Sequence, residues 1–133
     1  MDKKVMLMTG GTSMTNPWGG EQDAFCEAMA EAGKAVSDYL ENGERIAYIN
    51  VMNRLSIDCD CDGHPAELNM HDIGILACAD PVALDQACVD LIWVSEGNES
   101  LVSSIGNRDG LHTLEHAGEI GLGSRNSRLA DIV

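Results

Sequence analysis

The densest chemistry in this chain lies in the stretch Asp58-Cys59-Asp60-Cys61-Asp62-Gly63-His64. Two thiols and an imidazole are soft or borderline ligands, which suit zinc or iron better than calcium or magnesium. Extended backbone would send Cys59 and Cys61 to one side and the aspartates to the other, whereas a turn lets all of them converge. Thiolates beside three carboxylates repel one another, which raises their pKa values unless a cation offsets the charge. The stretch is therefore read either as a metal site with Cys59 and Cys61 as ligands and His64 as a third, or as an acidic surface loop with two structural thiols. Asp58, Asp60 and Asp62 stand behind them as ligand-orienting or ligand-binding groups. The pattern lacks the repeated Cys-x-x-Cys unit of strong zinc motifs, and a fourth ligand is missing locally. A helix-loop-helix calcium site is excluded, because the twelfth position counted from Asp58 is Asn69 rather than glutamate.

A second constellation is His112-Thr113-Leu114-Glu115-His116, the H-x-x-E-H string of inverted zinc proteases. Helical spacing puts His112 and His116 on one face, with Glu115 as the general base of a zinc-bound water. This is an alternative metal site, and the bland alternative is a polar helix face. Asp85 is a third candidate. It falls in or beside an apolar helical face, where a carboxylate needs a partner, so it either orients a ligand-bearing group or makes a structural hydrogen bond.

These side chains must be positioned by a small number of elements. Val5-Met6-Leu7-Met8 reads as a brief buried strand running into the glycine-rich turn Thr9-Gly10-Gly11-Thr12-Ser13, which lacks the lysine and spacing of a phosphate loop. Phe25, Met29, Ala32, Val36, Tyr39 and Leu40 recur at helical intervals between Gln22 and Asn42, with Gly43 placed to close the helix. The runs from Arg45 to Val51 and from Asp72 to Ala79 are apolar on both alternating sets, as expected of strands covered on both faces. Asp80-Pro81 is an N-cap carboxylate followed by proline at the first helical position, so a helix opens there. A short helix is expected around Leu101 to Ile105, and another from Leu111 to Ile120, closed by Gly121 with Leu122 in contact. Arg128 to Val133 reads as a last edge strand. The expected architecture is a single α/β domain over residues 1–133, a buried mainly parallel or mixed sheet flanked by helices, with the 58–64 loop at the mouth of the sheet.

The length of 133 residues suits one core, and the net charge of −14 repels phosphate backbones and anionic headgroups. Nucleic acid and membrane surfaces are thus not expected partners. There is no long apolar run and no signal-type leader, and five irregularly spaced cysteines argue against a secreted disulfide framework. A cytoplasmic protein with free or metal-bound thiols is expected.

Several long strings point to one family. Pro17-Trp18-Gly19-Gly20, Gln22-Asp23-Ala24-Phe25, Tyr48-Ile49-Asn50-Val51, Asp58-Cys59-Asp60-Cys61, Asp72-Ile73-Gly74-Ile75-Leu76 and Asp80-Pro81-Val82-Ala83-Leu84-Asp85-Gln86-Ala87 resemble the domain of unknown function 362 family. His112-Thr113-Leu114-Glu115-His116-Ala117 and Gly121-Leu122-Gly123-Ser124-Arg125 extend the likeness over nearly the whole chain. The resemblance implies no settled activity. Members are often labelled iron–sulfur or ferredoxin-like proteins for a cysteine-rich cluster run, which is absent here. They are usually longer, so this chain looks like their C-terminal part, and a site shared with the preceding portion would be incomplete.

Three readings are open. The first is a protein associated with zinc, iron or an iron–sulfur cluster, with a redox role at the 58–64 loop; the cluster is the less expected occupant of this chain alone. The second is a non-catalytic assembly module that packs against a missing N-terminal domain or a second copy of itself, as a homo-oligomer. The third is a zinc-dependent hydrolase using His112, Glu115 and His116.

Overall fold

The computed structural model describes residues 21–57, 63, 64, 66, 68 and 70–132. The expected strand at Val5–Met8, the glycine-rich turn after it and the segment 58–62 lie outside the described residues. The elements in chain order are α1 (Gln22–Tyr39), β1 (Tyr48–Met52), β2 (Gly74–Cys78), α2 (Pro81–Val94), α3 (Glu99–Asn107) and α4 (Gly110–Glu119).

Residues Pro81–Val94 are helical because the start is specified and no glycine or further proline interrupts the run. Asp80 Oδ1 accepts from the backbone N–H of Val82 at 2.9 Å and of Ala83 at 3.0 Å, satisfying donors that a helix leaves orphaned, and Pro81 loses nothing at a position without an acceptor. This helix is apolar around much of its circumference. Val82 joins Ala30, Leu114 and Ala117 in one core, while Leu84, Cys88 and Ile92 join Met52 in a second. The helix α2 is thus the shared wall of both cores.

The strands pair antiparallel, Tyr48 opposite Cys78 and Met52 opposite Gly74. The α/β class stands, and the direction of the pair fits its connection: the described residues between 53 and 73 contain no helix to carry the chain back across the sheet, as parallel pairing requires. Among the described residues only one face of the pair is covered. Tyr48, Leu76 and Cys78 pack toward α2, whereas Ile49, Val51 and Ile75 are 66%, 61% and 71% exposed. The expectation of burial on both faces therefore fails among the described residues: apolar side chains on both alternating sets state what a strand can bury, and a second covering layer has to exist for it to do so. The expected strand from Arg128 also fails, since residues 128–132 carry no strand and Leu129 and Ile132 are exposed.

Helix α1 corrects another expectation. The buried positions include Cys26, Ala30 and Ser37, with Gly33 between them, a stripe of small side chains at four- and three-residue spacing. Small residues let α4 approach closely, and Ala117 and Leu114 of α4 complete that contact. The bulkier stripe, Met29 with Val36, instead overlooks an apolar groove of about 310 Å³ closed by Ile46, Tyr48, Pro81 and Leu122. Helix α1 ends at Tyr39, earlier than expected, because Glu41, Asn42 and Gly43 all adopt positive φ, and the Gly43 N–H donates to the Ser37 carbonyl at 3.0 Å. Helix α4 closes as its sequence predicts: Gly121 has φ of 75° and the Leu122 N–H donates to the Ala117 carbonyl at 2.9 Å.

Candidate functional site

The connection that carries the expected site leaves β1 after Met52 and rejoins β2 at Gly74, and its described ends are tied together. Asp72 makes the tie: its Oδ2 accepts from Asn53 Nδ2 at 2.7 Å and its Oδ1 from the Arg54 backbone N–H at 2.8 Å. Arg54 itself sits at φ of 50°, so the backbone reverses sharply just past β1. Between the strands and that turn, the Ile73 N–H donates to the Met52 carbonyl at 2.9 Å, and farther out the Ser56 hydroxyl reaches the Ala66 carbonyl at 3.5 Å. A concavity of about 480 Å³ lies between these limbs, bordered by Arg54, Ser56, Ala66, Leu68, Met70 and Asp72. Asp58, Cys59, Asp60, Cys61 and Asp62 fall outside the described residues, so the geometry of the proposed ligand set does too. His64 is described and exposed.

Asp85 has the partner its position demanded. Its Oδ1 accepts from Asn50 Nδ2 at 2.7 Å, and the same amide group lies 3.3 Å from Cys88 Sγ. Asn50 on β1 is thereby locked to two positions of α2, three residues apart and on one face. Burial pushes the Cys88 thiol up, the Asn50 hydrogen bond pulls it down, and the Asp85 charge pushes it up again, for a net rise. A thiol held protonated is a poor nucleophile. Asp85 and Cys88 face a cleft of about 440 Å³ whose other side is Gln22, Cys26 and Met29 of α1. Cys26, Cys78 and Cys88 are free thiols, and Cys26 is buried, as expected of a small apolar side chain.

The second constellation, His112 to His116, is brought together by the α1–α4 contact. His112 Nε2 lies 3.1 Å from Glu27 Oε1 and His116 Nε2 lies 3.7 Å from Glu31 Oε1. On the other side of each ring stands a carboxylate of α4 itself: Glu115 Oε2 at 3.8 Å from His112 Nδ1, and Glu119 Oε2 at 3.9 Å from His116 Nδ1. The rings stack one helical turn apart with centroids separated by 6.5 Å. The hydrogen bond to Glu27 raises the His112 pKa above its ordinary value, with help from the charges of Asp23 and Asp109 and against a smaller effect of burial. Glu115 also accepts from Arg125 at 3.1 Å, and Arg125 Nε donates to Gln86 Oε1 at 2.8 Å. Among the described residues no three His, Cys, Asp or Glu side chains already surround a common point.

The family description Domain of unknown function (DUF362) matches residues 2–90. The chain belongs to this family. Neither the curated proteins nor the solved structures contain a match. The DUF362 match takes in the 58–64 loop, the Asp72 tie, Asn50, Asp80, Asp85 and Cys88, and it ends within α2; the histidines of α4 lie beyond it. Among the described residues no helix is long and apolar enough to cross a membrane.

Sequence reasoning did not find Asn50, Asp72, Glu27 or Glu31. Asn50 in an otherwise apolar strand was a usable signal, since a polar side chain there needs a partner. The spacing of Glu27 and Glu31 matches that of His112 and His116, but which helix faces which is not written in either segment.

Proposed function

We propose that this member of the DUF362 family binds a metal ion or cluster at the 58–64 loop, with Cys59 and Cys61 as ligands and His64 as a third, in support of redox chemistry. The observation that carries the reading is the Asp72 tie. One carboxylate holds both Asn53 and Arg54, so the two limbs of the connection are kept close where they leave the sheet. A ligand-rich segment of a few residues gains affinity when its ends are fixed before the ion arrives, because less chain entropy is lost on binding. The aspartates and the net charge of −14 draw cations toward it. Zinc and iron suit the thiol-rich ligand set, and the remaining ligands come from elsewhere in the fold or from a partner.

Elemental analysis of untagged protein tests this. Bound zinc or iron should be lost in Cys59→Ser and Cys61→Ser, and Asp72→Ala should weaken it without removing a ligand. Folded protein that is free of metal and takes up none on addition of zinc or ferrous iron sinks the reading.

An assembly role is the second reading, favoured by the sheet face that carries Ile49, Val51 and Ile75. Three large β-branched side chains side by side on a two-stranded sheet form the kind of apolar patch that a partner covers. A second copy of the chain is the proposed occupant. Light scattering should report a dimer or larger that Val51→Asp dissociates, and a stable monomer removes this reading.

A further inference from the structure

One flank of the sheet carries an apolar surface with no described element against it. Met29, Ala32 and Val36 of α1 overlook the groove of about 310 Å³, whose other wall is Ile46, Tyr48, Pro81 and Leu122, with no residue of β2. Met29 and Val36 are each 37% exposed and lie two turns apart on one face of the helix. Beside the groove, β1 pairs with β2 alone among the described residues. The N–H and C=O groups of alternate β1 residues therefore point away from β2 with no described strand to receive them. We propose that the outer edge of β1 and the groove under α1 are the docking site for this chain's own residues Val5–Met8, added as a strand parallel to β1.

Composition, reach and chain order select this occupant. Val5, Met6, Leu7 and Met8 are apolar on both alternating sets, so a strand made of them has one set for the groove and a second for the opposite face. The family match begins at residue 2 and runs to residue 90, which makes Val5–Met8, α1, β1 and β2 parts of one unit. Reach is sufficient: α1 with its 18 residues is about 27 Å long, and residues 9–21 extend to roughly 40 Å. Chain order sets the direction, because α1 stands between Val5–Met8 and β1. A strand, a helix laid over the sheet and a second strand form a right-handed crossover with the two strands parallel. The groove chooses β1 over β2, whose residues do not line it.

The added strand accounts for two features at once. It covers the bulky stripe of α1, which the contact with α4 leaves aside, and it takes the sheet past two strands, an arrangement that is marginal without further packing. Its second set of side chains extends the exposed face that carries Ile49 and Val51. Parallel entry also has a consequence for the candidate site. The glycine-rich turn Thr9-Gly10-Gly11-Thr12-Ser13 follows Met8, and it is delivered to the end of the sheet where the chain leaves β1 after Met52 for the connection that carries Cys59 and Cys61. Ligands of open α/β sheets bind beyond the carboxyl ends of the strands, where loops from neighbouring strands meet.

Nuclear magnetic resonance of the full, isotope-labelled chain tests the docking without any substitution. Nuclear Overhauser contacts should join the backbone of Val5–Met8 to that of Tyr48–Met52 in a parallel register, and side chains of the same segment to Met29 and Val36. A second sample, mixed from labelled and unlabelled chains and filtered for contacts between them, should show none of these. Contacts of Val5–Met8 with the outer edge of β2, contacts that appear only between chains, or no contact with β1 each overturn the proposal. In the full chain carrying Leu7→Asp and Met8→Asp, which place a carboxylate on each face of the segment, the outward amides of β1 should exchange with deuterium roughly tenfold faster or more. Exchange in β1 that is unchanged in this variant also overturns it. Both measurements read contacts of the chain alone, so the outcome is independent of whether the 58–64 loop holds a metal.

Discussion

The Asp80 carboxylate joins two separate parts of the structure. One oxygen caps α2 and the other accepts from the Ser124 N–H at 2.8 Å, so a single carboxylate fastens the helix start to the segment beyond α4. Gly123 is confined by the same arrangement, because a Cβ placed there would run into the Asp80 carboxylate. Asp80→Ala should destabilise the protein by about 2 kcal/mol, the upper range for a lost cap. Gly123→Ala should cost a comparable amount alone and much less in the Asp80→Ala background, a coupling that urea denaturation of the four proteins in the cycle would measure. Cys88 supplies a pH prediction. Its folded pKa lies above the ordinary thiol value of 9.0, so the unfolded chain loses this proton first as pH rises. Its contribution is therefore complete below that value and declines through the window above it. Unfolding free energies at about pH 8 and about pH 10 should fall more steeply for the wild type than for Cys88→Ala.

At the scale of elements, α2 is legible from its own residues and α1 is not. A capping aspartate, a proline at the first position and an apolar surface on nearly every side mark α2 as a central helix before any contact is known. In α1 the larger side chains define one stripe and the small ones another, and the partner helix selects the small stripe because it permits closer approach. Helix α4 ends where Gly121 turns the chain at φ of 75°, and Leu122 is thereby returned to the core beside Ala117. Gly121→Ala should cost about 1 kcal/mol through the left-handed backbone alone, since a Cβ there has open space around it. Thermal denaturation monitored by circular dichroism would read it, and a loss several times larger would mean that the turn does more than reverse the chain.

For the whole molecule, charge is the dominant general property. A net charge of −14 on 133 residues opposes compaction, and Glu27, Glu31, Glu115 and Glu119 gather along a single helix seam. Added salt screens such repulsion, so melting temperature should rise between about 0.02 M and about 0.5 M sodium chloride in chelator-treated protein. A fall would show that the attractive ion pairs outweigh the repulsion. The sequence alone determined the α/β class, the family, the Asp80 helix start and the chemical identity of the cysteine-rich stretch, because each depends on residues close together along the chain. Tertiary structure alone decided that the strands pair antiparallel with one face exposed among the described residues, that Asn50 binds Asp85, that Asp72 ties the loop ends, and that Glu27 and Glu31 face His112 and His116. Each of those joins segments distant in sequence, where a residue's type states what it can bond and only the packing of the elements selects the partner.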